Sequence, residues 1–210
     1  MDKLDYKKMF KDLYLPKRNP SLIEVPTIRF AAINGEGDPN SEAFQRATTA
    51  LYSFSYAVKM SYKSKDTPKD FYDYTVFPLE GVWDLRDYKK TITDKSNYVY
   101  SVMIRQPDFL TDELFERFLG ETKKRKPNTF LDKLELQTIT EGPCCQMLHL
   151  GAYDDEPTSF ETMKEFCIHN GYERISKVHR EIYLSDPRKT EAGKLKTVLR
   201  FKVGKKTNCQ

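Results

Sequence analysis

A chain of 210 residues is long enough to bury a real core as one large domain or two small ones, and its net charge of +4 is small and spread along the length. With 39% hydrophobic against 31% charged residues, it has the composition of a folded globular protein and not of a disordered one, and no apolar run is long enough to span a bilayer. Cys144, Cys145, Cys167 and Cys209 show no CxxC spacing and no apolar leader opens the chain, so the expected setting is a reducing cytoplasm.

Residues 1–18 place Leu4, Met9, Phe10, Leu13 and Leu15 among lysines and aspartates, the pattern of a loose amphipathic helix ended by Pro16. A connector bracketed by Pro20 and Pro26 leads to a strand at 27–35, with Ile28, Phe30 and Ala32 on one side. The Asp38-Pro39-Asn40-Ser41 stretch supplies helix-start residues, and Phe44, Thr48, Leu51 and Val58 recur at helical spacing to residue 60. Tyr52 and Tyr56 share a face beside that stripe, either an exposed flank or a binding wall. Residues 72–85 read as a strand interrupted by Pro78 and Gly81, and 97–104 as a third strand.

Thr111 caps a helix with Leu114, Phe115, Phe118 and Leu119 on one stripe. It runs into Lys123-Lys124-Arg125-Lys126, read as a solvated last turn that complements the helix dipole rather than a phosphate contact. A strand or extended link at 131–140 precedes a strand at 144–151, a turn at 154–158, and a helix at 159–169 stopped by Asn170-Gly171. Strands at 177–185 and 196–203 complete the chain. The order strand, helix, strand, strand therefore occurs twice, with Glu80 and Glu181 each in the strand after the helix, and the fold class is α+β built on a duplicated β-α-β-β unit.

The stretch from His179 to Arg188 carries the most chemistry. Alternation sets Val178, Ile182 and Leu184 on one face and His179, Glu181 and Tyr183 on the other. A carboxylate in mid-strand must find hydrogen bonds, meet a cation, or take up a proton. Glu181 either accepts from Tyr183 or Arg180 and serves the sheet, or meets a ligand. Trp83 covers the same side as Glu80 if Gly81 forms a bulge, and is core otherwise. Tyr98 and Tyr100 share a strand face, and His149 and His179 are polar candidates for a binding wall. His149, His169 and His179 have no metal-site spacing, Gly35-Glu36-Gly37 lacks the length and lysine of a phosphate loop, and adjacent Cys144 and Cys145 point to opposite faces, one to core and one to surface.

The Glu-Ile-Tyr-Leu-Ser-Asp-Pro run at 181–187, after a helix ending Asn-Gly-Tyr at 170–172, resembles the GyrI-like small-molecule-binding family, the effector-binding domains of multidrug-responsive activators, over most of 26–203. The resemblance implies two pseudo-symmetric β-α-β-β units forming a sheet-lined cleft, with extra N-terminal and central helices. It implies an accessory segment at 1–25 and a single domain at 26–210, comprising a first unit at about 26–106, a connecting helix at about 107–142 and a second unit at about 143–203. Glu181 matches the family's ligand-facing acid, with Glu80 as its counterpart. The expected ligand is a hydrophobic or cationic aromatic small molecule, bound by Glu80, Trp83, Tyr56, Tyr98, Tyr100, His149 and His179 without a metal or cofactor. The N-terminal segment is too small for a helix-turn-helix, so no direct nucleic-acid binding is expected. The chain is similar to a standalone subgroup that includes hydrolases of cyclopropane-bearing DNA alkylators. In that case Glu181 activates water and Tyr183 polarises the ligand's carbonyl. The alternatives are a sequestering or sensing protein without chemistry, and a gyrase-inhibitor-like interaction protein.

Overall fold

In the computed structural model, whose described residues are 3–206, the strand, helix, strand, strand order occurs twice, the second time with an additional three-residue strand after the helix. Helices α1 (Tyr6–Met9) and α2 (Lys11–Tyr14) precede β1 (Ser21–Glu36), α3 (Glu42–Lys59), β2 (Leu79–Leu85) and β3 (Tyr98–Arg105). Helix α4 (Asp112–Arg125) leads to β4 (Glu135–Leu150), α5 (Glu156–His169), the short β5 (Tyr172–Arg174), β6 (His179–Tyr183) and β7 (Lys196–Lys205). In both copies the first strand pairs with the last and the last with the middle one, giving β1–β3–β2 and β4–β7–β6. A shared hydrogen-bond order is what duplication of one unit produces.

The chain divides into two compact units, one comprising Met1–Met9, Ile28–Gly81 and Leu85–Ile139, the other Phe10–Thr27, Val82–Asp84 and Thr140–Gln210. In the first, β1 and β3 run antiparallel from Phe30 opposite Arg105 to Glu36 opposite Val99. Helix α3 starts where Ser41 Oγ accepts from the Phe44 N–H, and it buries Ala47, Leu51, Phe54 and Val58 at one-turn spacing. Thr111 caps α4 in the same way, and the Phe115 ring packs on Phe54 at 5.0 Å between centroids. Burying a phenylalanine such as Phe54 stabilises by roughly 1.5–3 kcal/mol. The basic end of α4 is an ion-paired surface turn, with Lys123 reaching Asp132 at 2.8 Å.

In the second unit β7 lies between β4 and β6, so that cross-strand partners form rows that point to one face. Met147, Leu199 and Glu181 make one row and His149, Thr197 and Tyr183 the next. Helix α5 covers this face, packing Met163 and Cys167 on Cys145, Met147, Leu199 and Phe201. The opposite face is buried as well. Leu148, Val198 and Ile182 form an apolar row beside Gln146, Arg200 and Arg180. Arg200 donates to Gln146 Oε1 at 2.9 Å, to Glu141 at 3.2 Å and to the Leu13 carbonyl at 2.8 Å, and the Gln146 amide donates to the Asp12 carbonyl, which ties α2 to the sheet.

Several boundaries differ from those read off the sequence. The N-terminal stretch up to Arg18 forms two four-residue helices rather than one, and positions 1–2 lie outside the described residues. Strand β1 runs through Pro26, and β4 is one 16-residue strand through Gly142 and Pro143, with Gly142 at φ +70°. A proline without an N–H and a glycine in the left-handed region suit a bulge, which a strand can pass through without ending. By contrast, β2 begins only after Pro78, residues 129–133 are a 3₁₀ turn, and α5 starts at Glu156, because Pro157 is accommodated in a first helical turn. Cys144 is buried like Cys145, since both sheet faces are covered; Cys209 lies outside the described residues.

Candidate active site

The second unit gathers its polar chemistry on the α5-covered face of β6. Glu181 sits between two donors from its own strand, two residues away on each side. His179 Nε2 lies 3.0 Å from Glu181 Oε1, and the Tyr183 hydroxyl donates to Oε2 at 2.8 Å. The period-two geometry of a strand makes this clamp possible, because residues i−2, i and i+2 share a face. The indole N–H of Trp83, from the β2 residues that belong to this unit, donates to the Tyr183 oxygen at 2.8 Å. Arg180 points the opposite way, to Glu141 at 3.0 Å.

A second carboxyl meets the first. Glu156, the first residue of α5, is 6% exposed and is hydrogen-bonded to Glu181. Its Oε1 has no donor to accept from. Burial, then the neighbouring Glu181 charge and the hydrogen bond to it, push the Glu156 carboxyl far above the ordinary range, so it holds a proton at neutral pH. Two carboxyl groups in contact cannot both ionise at low cost, and here the buried one keeps the proton. Burial and the Glu181 charge also push the Tyr183 hydroxyl well above the usual tyrosine value, so it remains a donor. Around the pair stand aromatic rings: Tyr153 edge-on to Tyr183 at 5.9 Å, Phe160 edge-on to His179 at 4.8 Å, and the indole of Trp83, 7% exposed. The Glu181 side chain keeps 12% of its surface in solvent and His179 23%, so neither is wholly closed off from water.

Thus Glu181, Tyr183, His179 and Trp83 come together. His149 lies on the same sheet face and bonds Ser159 and the Ala152 carbonyl. The other candidates belong to the first unit. Glu80 is buried there at 1% exposure, and Tyr100 lies over Gly35 and edge-on to Phe44 at 5.1 Å. The Tyr98 hydroxyl donates to the Ile92 carbonyl, and Tyr56 is exposed on α3 with its ring beside Tyr52. Sequence reading missed Glu156 and Tyr153. Three acids, Asp154, Asp155 and Glu156, stand before Pro157, which is a helix-start signal; taking that proline as turn rather than first helical turn hid the position. Among the described residues no group of three or more His, Cys, Asp or Glu is placed to hold a metal ion, and no helix is long and apolar enough to cross a membrane.

A sheet carrying an acid and aromatic rings beneath a covering helix, in a chain with a duplicated β-α-β-β plan, defines a class of small-molecule-binding proteins. The chain belongs to the GyrI-like family, whose small molecule binding domain matches residues 18–203. It is similar to the crystal structure of an uncharacterized conserved protein from Listeria innocua, with 36% identity, 96% of this chain and 100% of that chain covered, and a TM-score of 0.91. A hydrolase from Listeria innocua is similar at 35% identity over 96% of this chain and 100% of its own, with a TM-score of 0.88. The C-terminal domain of EcmrR shares the fold at 14% identity, with 89% of this chain and 98% of that chain covered and a TM-score of 0.56. No curated protein matches the chain.

Proposed function

We propose that this protein binds hydrophobic aromatic small molecules against the rings of Trp83, Tyr153 and Tyr183, and that it hydrolyses reactive cyclopropane-bearing alkylators there. The carboxyl pair carries the reading: one member is protonated and the other is held ready between two donors. A hydrolysis at a carbon centre needs both a base for water and an acid for the departing electron pair. Membership of a small-molecule-binding family and likeness to a Listeria innocua hydrolase support it.

In this mechanism Glu181 takes a proton from water as the water oxygen attacks the unsubstituted carbon of a cyclopropane conjugated to a carbonyl. A C–O bond forms and the strained C–C bond breaks. Its electron pair moves through the conjugated system to the carbonyl oxygen, which receives the proton of Glu156. The two carboxyls then exchange a proton across their hydrogen bond and return to the starting state. One water is added and the electrophilic carbon is gone. Positioned acid–base groups of this kind contribute about 10²–10⁴-fold each. Tyr183 directs its proton at Glu181, so it positions the base, and the proton for the carbonyl comes from Glu156.

Incubating the protein with a cyclopropane-bearing DNA alkylator should yield a product one water heavier. Glu181→Gln should lower the rate at least ~100-fold while ligand still quenches the fluorescence of Trp83, the only tryptophan. Recovery of unchanged ligand from the wild-type protein would reduce the function to sequestration, and full turnover by Glu181→Gln would remove the mechanism.

A further inference from the structure

The first turn of α5 is fastened by one imidazole. His149, next to the end of β4, is 5% exposed. Its Nε2 lies 3.0 Å from the carbonyl oxygen of Ala152 and its Nδ1 2.9 Å from the hydroxyl of Ser159. A carbonyl only accepts, so the neutral ring carries its proton on Nε2, and Nδ1 accepts from Ser159. The ring therefore spans Glu156, gripping the turn before it and the helix after it. The Asp155 side chain makes no capping bond to α5, although its backbone N–H also donates to the Ala152 carbonyl, at 3.0 Å. His149 ties the turn to the helix through a carbonyl and a side-chain hydroxyl. The space is shaped to it: Gly151 has φ +142°, and a Cβ there would sit 3.3 Å from His149 Nε2 and 3.6 Å from Asp155 Oδ2.

We propose that His149 and Ser159 are positioning residues, which fix the first turn of α5 so that the Glu156 carboxyl meets Glu181. The acid–base reading above enters only through the effect on turnover, since the meeting of the two carboxyls is a property of the resting protein. Glu156 faces Glu181 from β6, Asp154 from its own turn, and the hydroxyls of Tyr153 and Tyr183; His179 lies beyond Glu181. Asp154 and Tyr153 lie in the turn that leads into α5, whereas the contacts with Glu181 and Tyr183 depend on where the first turn of α5 is placed against β6.

The test is a titration of carboxyl carbons in glutamate-labelled full-length protein, with Glu156 assigned by Glu156→Gln. In the wild-type protein Glu156 should titrate above an ordinary glutamate. Ser159→Ala and His149→Phe, each checked for a native fold, should bring that midpoint down by about one pH unit or more as the contact with Glu181 loosens. His149→Asn, whose amide oxygen can still accept from Ser159, should move it less than His149→Phe. With a cyclopropane substrate kcat should fall at least ~10-fold with KM little changed. An unmoved Glu156 midpoint in the folded variants overturns the proposal, even where their melting temperatures drop. If the wild-type protein shows no turnover, the titration still decides the matter, so the two readings fail separately.

Discussion

Tyr183 joins the two halves of the candidate site, because its oxygen accepts from Trp83 and its proton goes to Glu181. Tyr183→Phe leaves a buried indole N–H without its acceptor and should cost about 1–3 kcal/mol in urea denaturation. Trp83→Phe removes the donor and leaves an oxygen that still has its bond to Glu181, so it should cost less at the hydrogen bond, although it also opens a cavity. Glu156 makes a prediction of opposite sign. Its folded pKa lies above the unfolded one, so its contribution is fully present below about pH 4 and is lost as pH rises toward the folded value. Wild-type stability should therefore decline between pH 5 and pH 8 relative to Glu156→Gln, by on the order of 4 kcal/mol, read from urea midpoints at about those two pH values. The triplet of His179, Glu181 and Tyr183 was legible in the sequence, because side chains two apart in a strand share a face whatever surrounds them. Glu156 was not, because it reaches Glu181 across a turn and a helix start.

Strand β4 and helix α5 show how far periodicity carries at the scale of an element. The apolar spacing placed both, but the joint between Gly142 and Pro143 read as a break where the strand continues. Beneath the site the same strand supplies Glu141, 12% exposed, to two arginines whose side chains are each 2% exposed. Burial alone would raise the Glu141 pKa, but Arg180 and Arg200 overcome this and hold it below the ordinary value. Glu141→Gln leaves two buried guanidiniums without their shared carboxylate and should destabilise by about 3–5 kcal/mol, measured by denaturant unfolding. A lowered pKa stabilises above the unfolded value and is lost as pH falls through the folded one. The wild-type protein should consequently lose this contribution on acidification below about pH 4, while Glu141→Gln has none of it to lose. In the other unit, Gly35 faces the Tyr100 ring so closely that a Cβ would stand 2.5 Å from it. Gly35→Ala must push a buried ring aside and should cost about 1–3 kcal/mol.

At the scale of the whole molecule, the repeat and the compact unit are different divisions of the chain. The second repeat begins in β4, but the unit that holds the candidate site also takes in Phe10–Thr27 and Val82–Asp84. A fragment spanning only 140–206 would lack the Leu13 and Asp12 carbonyls that accept from Arg200 and Gln146, and the indole that donates to Tyr183. It should show far-ultraviolet strand and helix signals weaker than its share of the full chain and no cooperative thermal transition; a sharp transition would mean that the later repeat folds alone.

Composition, the two helical stripes and the alternation in β6 were determined by the sequence alone, because each depends on the fixed period of a single element. The duplicated order and the family were legible for the same reason, as patterns along the chain. Which strands pair, that both faces of the second unit's sheet are buried, and that Glu156 meets Glu181 were decided only by tertiary structure. These contacts join residues far apart in the chain, and the protonation of the carboxyl pair depends on burial and on a neighbouring charge that no local pattern encodes.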